Sequence, residues 1–525
     1  MKSLKTILVA STALTFAGTA WADSNSAYLD QIGDDNAALI TQSGASNRAG
    51  SSAADRVVTQ SGDNNDLDIL QTGDSNQVGV SSKSSAPGVD QIEDRNVFSA
   101  TQTSSTNYIN VVQQTGVDGA SETTNSLTIT QQSSANFVGG RGGNVVSRVV
   151  QTNTGSGALA SETNSVTILQ DRDGHSGPGT GWGANVIGGQ TGGNLNDRSA
   201  RVNYGVVQNG AGNTAALTQT GYRNSIQLVT QTGNENQATV TQTNLGSGTN
   251  NYNRVDLVSQ DSTTGTTGNT VSVVQEGQRN GIAGFSAGSF AALTGVAKSS
   301  VTQIGGGNVV DYLATGNDNQ FGFYQEGNGN TVGTVTITGN GNETAAYQMG
   351  DGNTVTIVPI VGDGNDVGAI QNGTMNMATV SLSNGSNVNS VGIDQNGTNR
   401  ASVSIDGNNN YASLDQDGTN SGLSYGIDLL IEGNDNNRGA FAPGGDAAGV
   451  GLTVGLFVQD GTNNLLDIDV IGGNNDFATS QVGDDNIITA SVTGSMNEFA
   501  VSQTNNGNVT NLIQTGNSNI AGIMQ

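Results

Sequence analysis

Apolar and polar residues alternate along short stretches of this chain. Asn65, Leu67, Ile69 and Gln71 form one set, as do Asn96, Phe98, Ala100, Gln102 and Asn497, Phe499, Val501, Gln503, while Asp66, Asp68, Glu498 and Ser502 belong to the other. Period-two alternation predicts strands with one buried face. Between them recur Gly-Asp-Asp, Gly-Asn-Gly and Gly-Asp-Ser segments, whose Gly and Asn residues tolerate the positive φ that chain reversal needs. The pattern therefore predicts strand and turn in strict succession.

The succession is periodic. Gln459, Val470, Gln481, Val492, Gln503, Gln514 and Gln525 are spaced eleven residues apart, and each unit reads Q-x-G-x-x-N followed by alternating apolar positions. The same spacing links Gln31 to Gln42, Gln60 to Gln71, Gln91 to Gln102 to Gln113, Gln208 to Gln219 and Gln231 to Gln242. Asn36, Asn65, Asn96, Asn107, Asn213, Asn236, Asn486, Asn497, Asn508 and Asn519 occupy the fifth place after the Gln position. One such strand cannot bury its apolar face alone. Two units, about 22 residues, make a flattened coil, and stacked coils pair as parallel strands ~4.8 Å apart. Inward Asn and Gln are costly singly, but identical amides stacked along an axis donate and accept in turn. The predicted fold is all-β: a parallel β-solenoid, or cross-β stack, of ~22-residue two-strand coils.

Residues 171–205, 281–300 and 421–458 break the register, with shorter breaks near 43–56, 79–90, 117–124, 139–143, 153–163 and 243–252. They read as loops of tolerated extra length in one elongated repeat domain spanning 23–525, and 281–300 as a short helix or a distorted coil.

Residues 1–22 carry Lys2 and Lys5, an apolar run and Ala20-Trp21-Ala22, the pattern of a signal peptide cleaved near Ala22. No later stretch is long and apolar enough to span a membrane, so an exported protein without membrane insertion is expected. The formal net charge of −27, with 17 basic residues, argues against binding a phosphate backbone. The absence of cysteine removes disulfides, thiolate metal sites and a thiol nucleophile. Apolar content of 34% with 77 glycines fits a disordered chain as well as a repeat. The fixed register favours the repeat.

Candidate chemistry is sparse. His175 stands alone without a G-x-S-x-G elbow, and the pairs Asp34-Asp35 and Asp484-Asp485 fall in turns, where carboxylates read as solvated. GGNND at 472–476, GDGND at 362–366 and GNDNN at 433–437 are similar to calcium-binding nonapeptides, but the period is eleven and Asn replaces the carboxylate ligands. No catalytic residue, cofactor or metal site is expected.

The stretches Gln208-Asn-Gly210-Ala-Gly-Asn213-Thr-Ala215-Ala-Leu-Thr-Gln219 and Gln231-Thr-Gly233-Asn-Glu-Asn236-Gln-Ala238-Thr-Val-Thr-Gln242 resemble the curlin repeat, S-x5-Q-x-G-x2-N-x-A-x3-Q, of curli fimbriae subunits. The resemblance implies an extracellular amyloid-like fibre subunit of biofilm matrix and cell adhesion, with a nucleating curlin subunit and a curli secretion pore as partners. This chain departs from it in its greater number of repeats, its long inserts and the lack of a polar export segment after the leader. The final unit, Gln514 to Gln525, keeps the register and shows no capping element, so head-to-tail self-association is expected. The alternative function is a monomeric or surface-held adhesin that binds a ligand through its insert loops. Ice binding ranks last, because outward Asp467, Asp469, Ala478 and Ser480 make no threonine row.

Overall fold

A computed structural model describes residues 24–51, 57–80, 88–133, 143–172, 185–188, 204–244, 246, 252–264, 267–383, 385–422 and 425–525. The leader, His175, Trp182 and most of the 171–205 insert lie outside the described residues. The chain divides into two compact units, residues 1–223 and 224–525.

In the N-terminal unit successive strands alternate between two parallel sheets. Sheet 1 includes Leu29–Ile32, Val58–Ser61, Val89–Ile92, Tyr108–Thr115, Val145–Asn153 and Gly205–Gly210. Sheet 2 includes Ala37–Ser43, Asp66–Thr72, Asn96–Thr103, Asn125–Ser133, Asn164–Arg172 and Thr214–Gly221. One strand from each sheet makes a coil. Register follows the repeat: Gln60 stands opposite Gln91 and Gln71 opposite Gln102. The arrangement is a parallel β-solenoid, because only a coil that stacks on its like can bury a single alternating face.

The C-terminal unit has the same construction. Its sheet 1 runs from Ser225–Thr232 through Gln320–Glu326, Glu343–Met349 and Asp366–Gly373 to Ile520–Met524. Its sheet 2 runs from Gln237–Asn244 to Val509–Thr515. The long strand Ser390–Asp406 serves both, pairing in sheet 1 over its first half and in sheet 2 over its second. Inward residues form continuous rows. Phe457, Phe477 and Phe499 sit on successive rungs with ring centroids 5.5 and 5.2 Å apart.

Tyr312 is fully buried, stacks on Phe321 at 4.6 Å, and its hydroxyl has no hydrogen-bond partner among the described residues. An unmade buried hydrogen bond costs about 1–3 kcal/mol. Tyr312→Phe keeps the ring and removes the orphaned group, so it is expected to raise the melting temperature of the chain. A lower melting temperature would show that the hydroxyl is satisfied.

Two readings of the sequence need correction. Gln114, not Gln113, lies in the inward row: Gln91 pairs with Gln114, while Gln113 stands opposite Asp90 and is half-exposed. Gln114 lies seven residues after Asn107, as Gln151 does after Asn144, where the repeat has six, and this extra residue shifts the alternation by one place. The break placed at 421–458 is also too wide. Gly426–Glu432 is a regular sheet 2 strand, paired to 401–406 and to Leu465–Ile471. It hides because its ladder position is Ile431 rather than Gln.

Candidate functional site

Two kinds of amide ladder line the interior. In sheet 1 of the C-terminal unit each Gln donates through Nε2 to the Oε1 of the next, from Gln303 through Gln325, Gln348, Gln371, Gln395, Gln416, Gln459, Gln481 and Gln503 to Gln525, at 2.8–3.1 Å. A second Nε2 hydrogen reaches a carbonyl on the facing strand, as Gln348 does to Thr331. Asn ladders run with the opposite polarity. Asn342, Asn365, Asn389 and Asn410 each donate the backbone N–H back to the Oδ1 of the preceding Asn, at 2.8–3.1 Å. Their Nδ2 groups hold a turn carbonyl in the following coil, as in Asn342 to Gly362, Asn365 to Ser386 and Asn410 to Gly433. Each of these amides therefore bridges neighbouring coils.

The N-terminal unit holds Gln31, Gln60, Gln91, Gln114, Gln151 and Gln208 in one such ladder. Gln42, Gln71, Gln102, Gln131, Gln170 and Gln219 form the other. Asn36, Asn65 and Asn96 are linked in turn, Asn107 follows Asn76, and Asn213 follows Asn164. In the C-terminal unit Gln231 leads to Gln260, Gln242 to Gln275 and Asn236 to Asn269. Asn508 follows Asn486 and Asn519 follows Asn497. Gln514 is buried and donates to the Glu498 carbonyl. Sheet 2 of this unit is mixed: after Gln275 the ladder position holds Ala314, Ile337 and Ile360, and later Ile405, Ile431, Val470 and Val492 before Gln514. The paired aspartates belong to the turns. Asp484 Oδ1 accepts from Thr462 N–H and Oγ1, and Asp485 takes a positive φ of 58°.

The inserts at 281–299 and 438–455 do not hang free. Each folds back over the outer face of sheet 1 on the coils that follow it. In the first, Ser286 N–H reaches both oxygens of Glu343 at 2.9 Å, and the Phe290 and Ala291 N–H groups reach Asp366 at 2.6 and 2.9 Å. In the second, Gly439 N–H reaches Asp476 at 3.1 Å and Ala442 N–H reaches Glu498 at 2.9 Å. Glu343 and Asp366 are register partners, as are Asp476 and Glu498. The face beneath is built from small residues. A Cβ on Gly368 would overlap the Phe290 carbonyl, one on Gly392 the Phe290 ring, and one on Gly522 the Asp446 carbonyl. Ala478, an outward position in the alternation, is fully buried on this face.

Burial pushes the Asp366 carboxyl up to about 6, with the neighbouring Glu343 adding to it; the two N–H donors and Arg438 oppose it. Burial also raises Asp476. An exposed aspartate titrates near ~3.9, so the covered state of Asp366 binds more protons between about 4 and 6. The stability contributed is greatest below that window and is lost as pH rises through about 6. Amide exchange at Phe290 and Ala291, corrected for intrinsic rates, is expected to be roughly ten-fold slower at pH 5 than at pH 7.5. Asp366→Asn should flatten this dependence. Unchanged protection across the range in the parent protein would contradict it.

These features define a parallel β-solenoid whose interior is stitched by continuous Gln and Asn ladders. The curlin associated repeat matches residues 22–50, which take in the first described coil with Gln31, Asn36 and Gln42. Comparisons with curated proteins and with solved structures gave no significant match. Among the described residues no helix is long and apolar enough to cross a membrane.

Proposed function

We propose that this chain is a non-catalytic structural subunit of extracellular curli-like fibres, adding copies head to tail along the solenoid axis. The observation that carries the reading is the opposed polarity of the two ladders. Each rung offers Gln Nε2 donors and Asn Oδ1 acceptors toward one side, and Gln Oε1 acceptors and Asn N–H donors toward the other. Any rung is thus a template for the next, and a contact of this type between copies extends without closing. The curlin repeat supports export to the cell surface, and a nucleating curlin subunit and a curli secretion pore are the partners this reading implies. The adhesin reading is weaker, because both described long inserts of the C-terminal unit are engaged by their own sheet.

The test is assembly of the purified chain after leader removal. Unbranched fibres by electron microscopy, a thioflavin response and a ~4.8 Å meridional reflection are expected. A protein that stays monomeric at high concentration with preformed seeds present would overturn the fibre and leave the adhesin.

A further inference from the structure

The two segments that cover sheet 1 of the C-terminal unit resemble one another, with five of twelve aligned residues identical. Phe285-Ser286-Ala287-Gly288-Ser289-Phe290-Ala291-Ala292-Leu293-Thr294-Gly295-Val296 aligns without a gap on Phe441-Ala442-Pro443-Gly444-Gly445-Asp446-Ala447-Ala448-Gly449-Val450-Gly451-Leu452. The conformations agree as well. Gly288 and Gly444 have φ of 81° and 79°, Gly295 and Gly451 71° and 80°, and each segment makes a one-turn helix, Phe290–Leu293 and Asp446–Gly449. Ala291 and Ala447, aligned with each other, are both fully buried.

Two of the docking contacts are common to both segments. Ser286 and Ala442 give their N–H to Glu343 and Glu498. Phe290 and Asp446 place their carbonyls against Gly368 and Gly522, each one rung further on. Gly322 and Ala345 precede Gly368 on one face, and Ala478 and Ala500 precede Gly522 on the other. The face thus reads a segment through its backbone: a carboxylate for one N–H, and a small residue where a carbonyl must approach. Side chains differ freely where the backbone contact is kept, as Phe290 against Asp446 shows. Two faces that share a carboxylate for one N–H and a glycine for one carbonyl can each receive the backbone of the other's segment.

We propose that this face of sheet 1 is a docking surface for such segments supplied by a second copy of the chain, so that copies lying side by side exchange them. Within one copy the covalent linkage gives the segment a high effective concentration, and closely packed copies supply a comparable one. Exchange of an identical element needs no new contact chemistry. The proposal rests on self-association of the chain, but its experiment reads the two separately.

The chain contains no cysteine, so introduced pairs report without background. Copies carrying Phe290→Cys are mixed with copies carrying Gly392→Cys, concentrated, and oxidised mildly; the ring and the glycine are in contact, within the reach of a disulfide. A covalent dimer at least about ten-fold more abundant than either variant gives alone is expected. Gly368→Val in both partners should abolish it, since the added side chain meets the Phe290 carbonyl. The double variant in one chain, diluted, checks that the pair closes internally. If it does, and the mixture gives no dimer, the segments serve only their own copy and the proposal falls. Microscopy of the same mixture shows whether fibres formed, so absence of fibres counts against the fibre and absence of the dimer against the exchange.

Discussion

Gly339→Ala is expected to unfold or grossly loosen the C-terminal unit, whereas Gly341→Ala, two residues away in the same turn, is expected to be mild. Gly339 has φ of 148°, and a Cβ there would overlap the carbonyl oxygen of Gly362 in the next coil. That oxygen is backbone and accepts from Asn342 Nδ2 at 2.9 Å, so it cannot yield without breaking the Asn ladder. The stacking distance of ~4.8 Å leaves no slack for a methyl group. Overpacking and loss of a buried hydrogen bond together place the change at about 3–5 kcal/mol. Gly341 has φ of 66° and nothing within 4 Å of an added Cβ. Its equivalents in neighbouring coils include Asp318, Asn409 and Met496, all with φ near 60°. The cost there is the left-handed conformation alone, about 1 kcal/mol. Chemical denaturation of the two variants checks the contrast, and equal losses would mean that the turn needs only its positive φ.

The second large effect is expected at the ladder. Gln395 accepts from Gln371 at 2.8 Å and donates to Gln416 at 2.8 Å and to the Met377 carbonyl at 3.0 Å. Gln395→Ala leaves the Gln416 oxygen and the Met377 carbonyl without these donors in a fully buried row, and opens a cavity. A loss of about 3–5 kcal/mol follows from the unpaired groups and the cavity. Asp394→Ala, the outward neighbour, should change stability by less than about 0.5 kcal/mol, because burial already raises its carboxyl beside Asp415 and Asp417. Assembly should respond in the same order further along. Gln503→Ala with Asn508→Ala is expected to slow fibre growth more than Ser502→Ala with Asn511→Ala, measured by thioflavin kinetics. The first pair belongs to the ladders, and Asn511 is exposed. Equal rates would remove the ladders from the growth mechanism.

The sequence alone determined the period, the inward set and the parallel stack. These follow from local rules: alternation in a strand, glycine in a turn, and an amide that is tolerable inside only when a like amide lies above it. Residues such as Asn65, Leu67, Ile69 and Gln71 are therefore legible by spacing. Where spacing alone was the guide it slipped by one at Gln113, since an extra residue inside a strand reverses the faces without altering composition. It also passed over Gly426–Glu432, where Ile431 fills the ladder position with an aliphatic side chain.

The tertiary structure decided what long-range contact decides. The glycine of Q-x-G is required by the carbonyl of the next coil as well as by its own positive φ, and the first constraint is invisible within one repeat. The inserts 281–299 and 438–455 read as tolerated length because the acids and small residues that hold them, from Glu343 to Gly392 and from Asp476 to Gly522, lie two or more coils downstream and are scattered over successive coils. Only the stacking of coils gathers those residues into a single face, and only then does the resemblance between the two segments acquire a physical meaning.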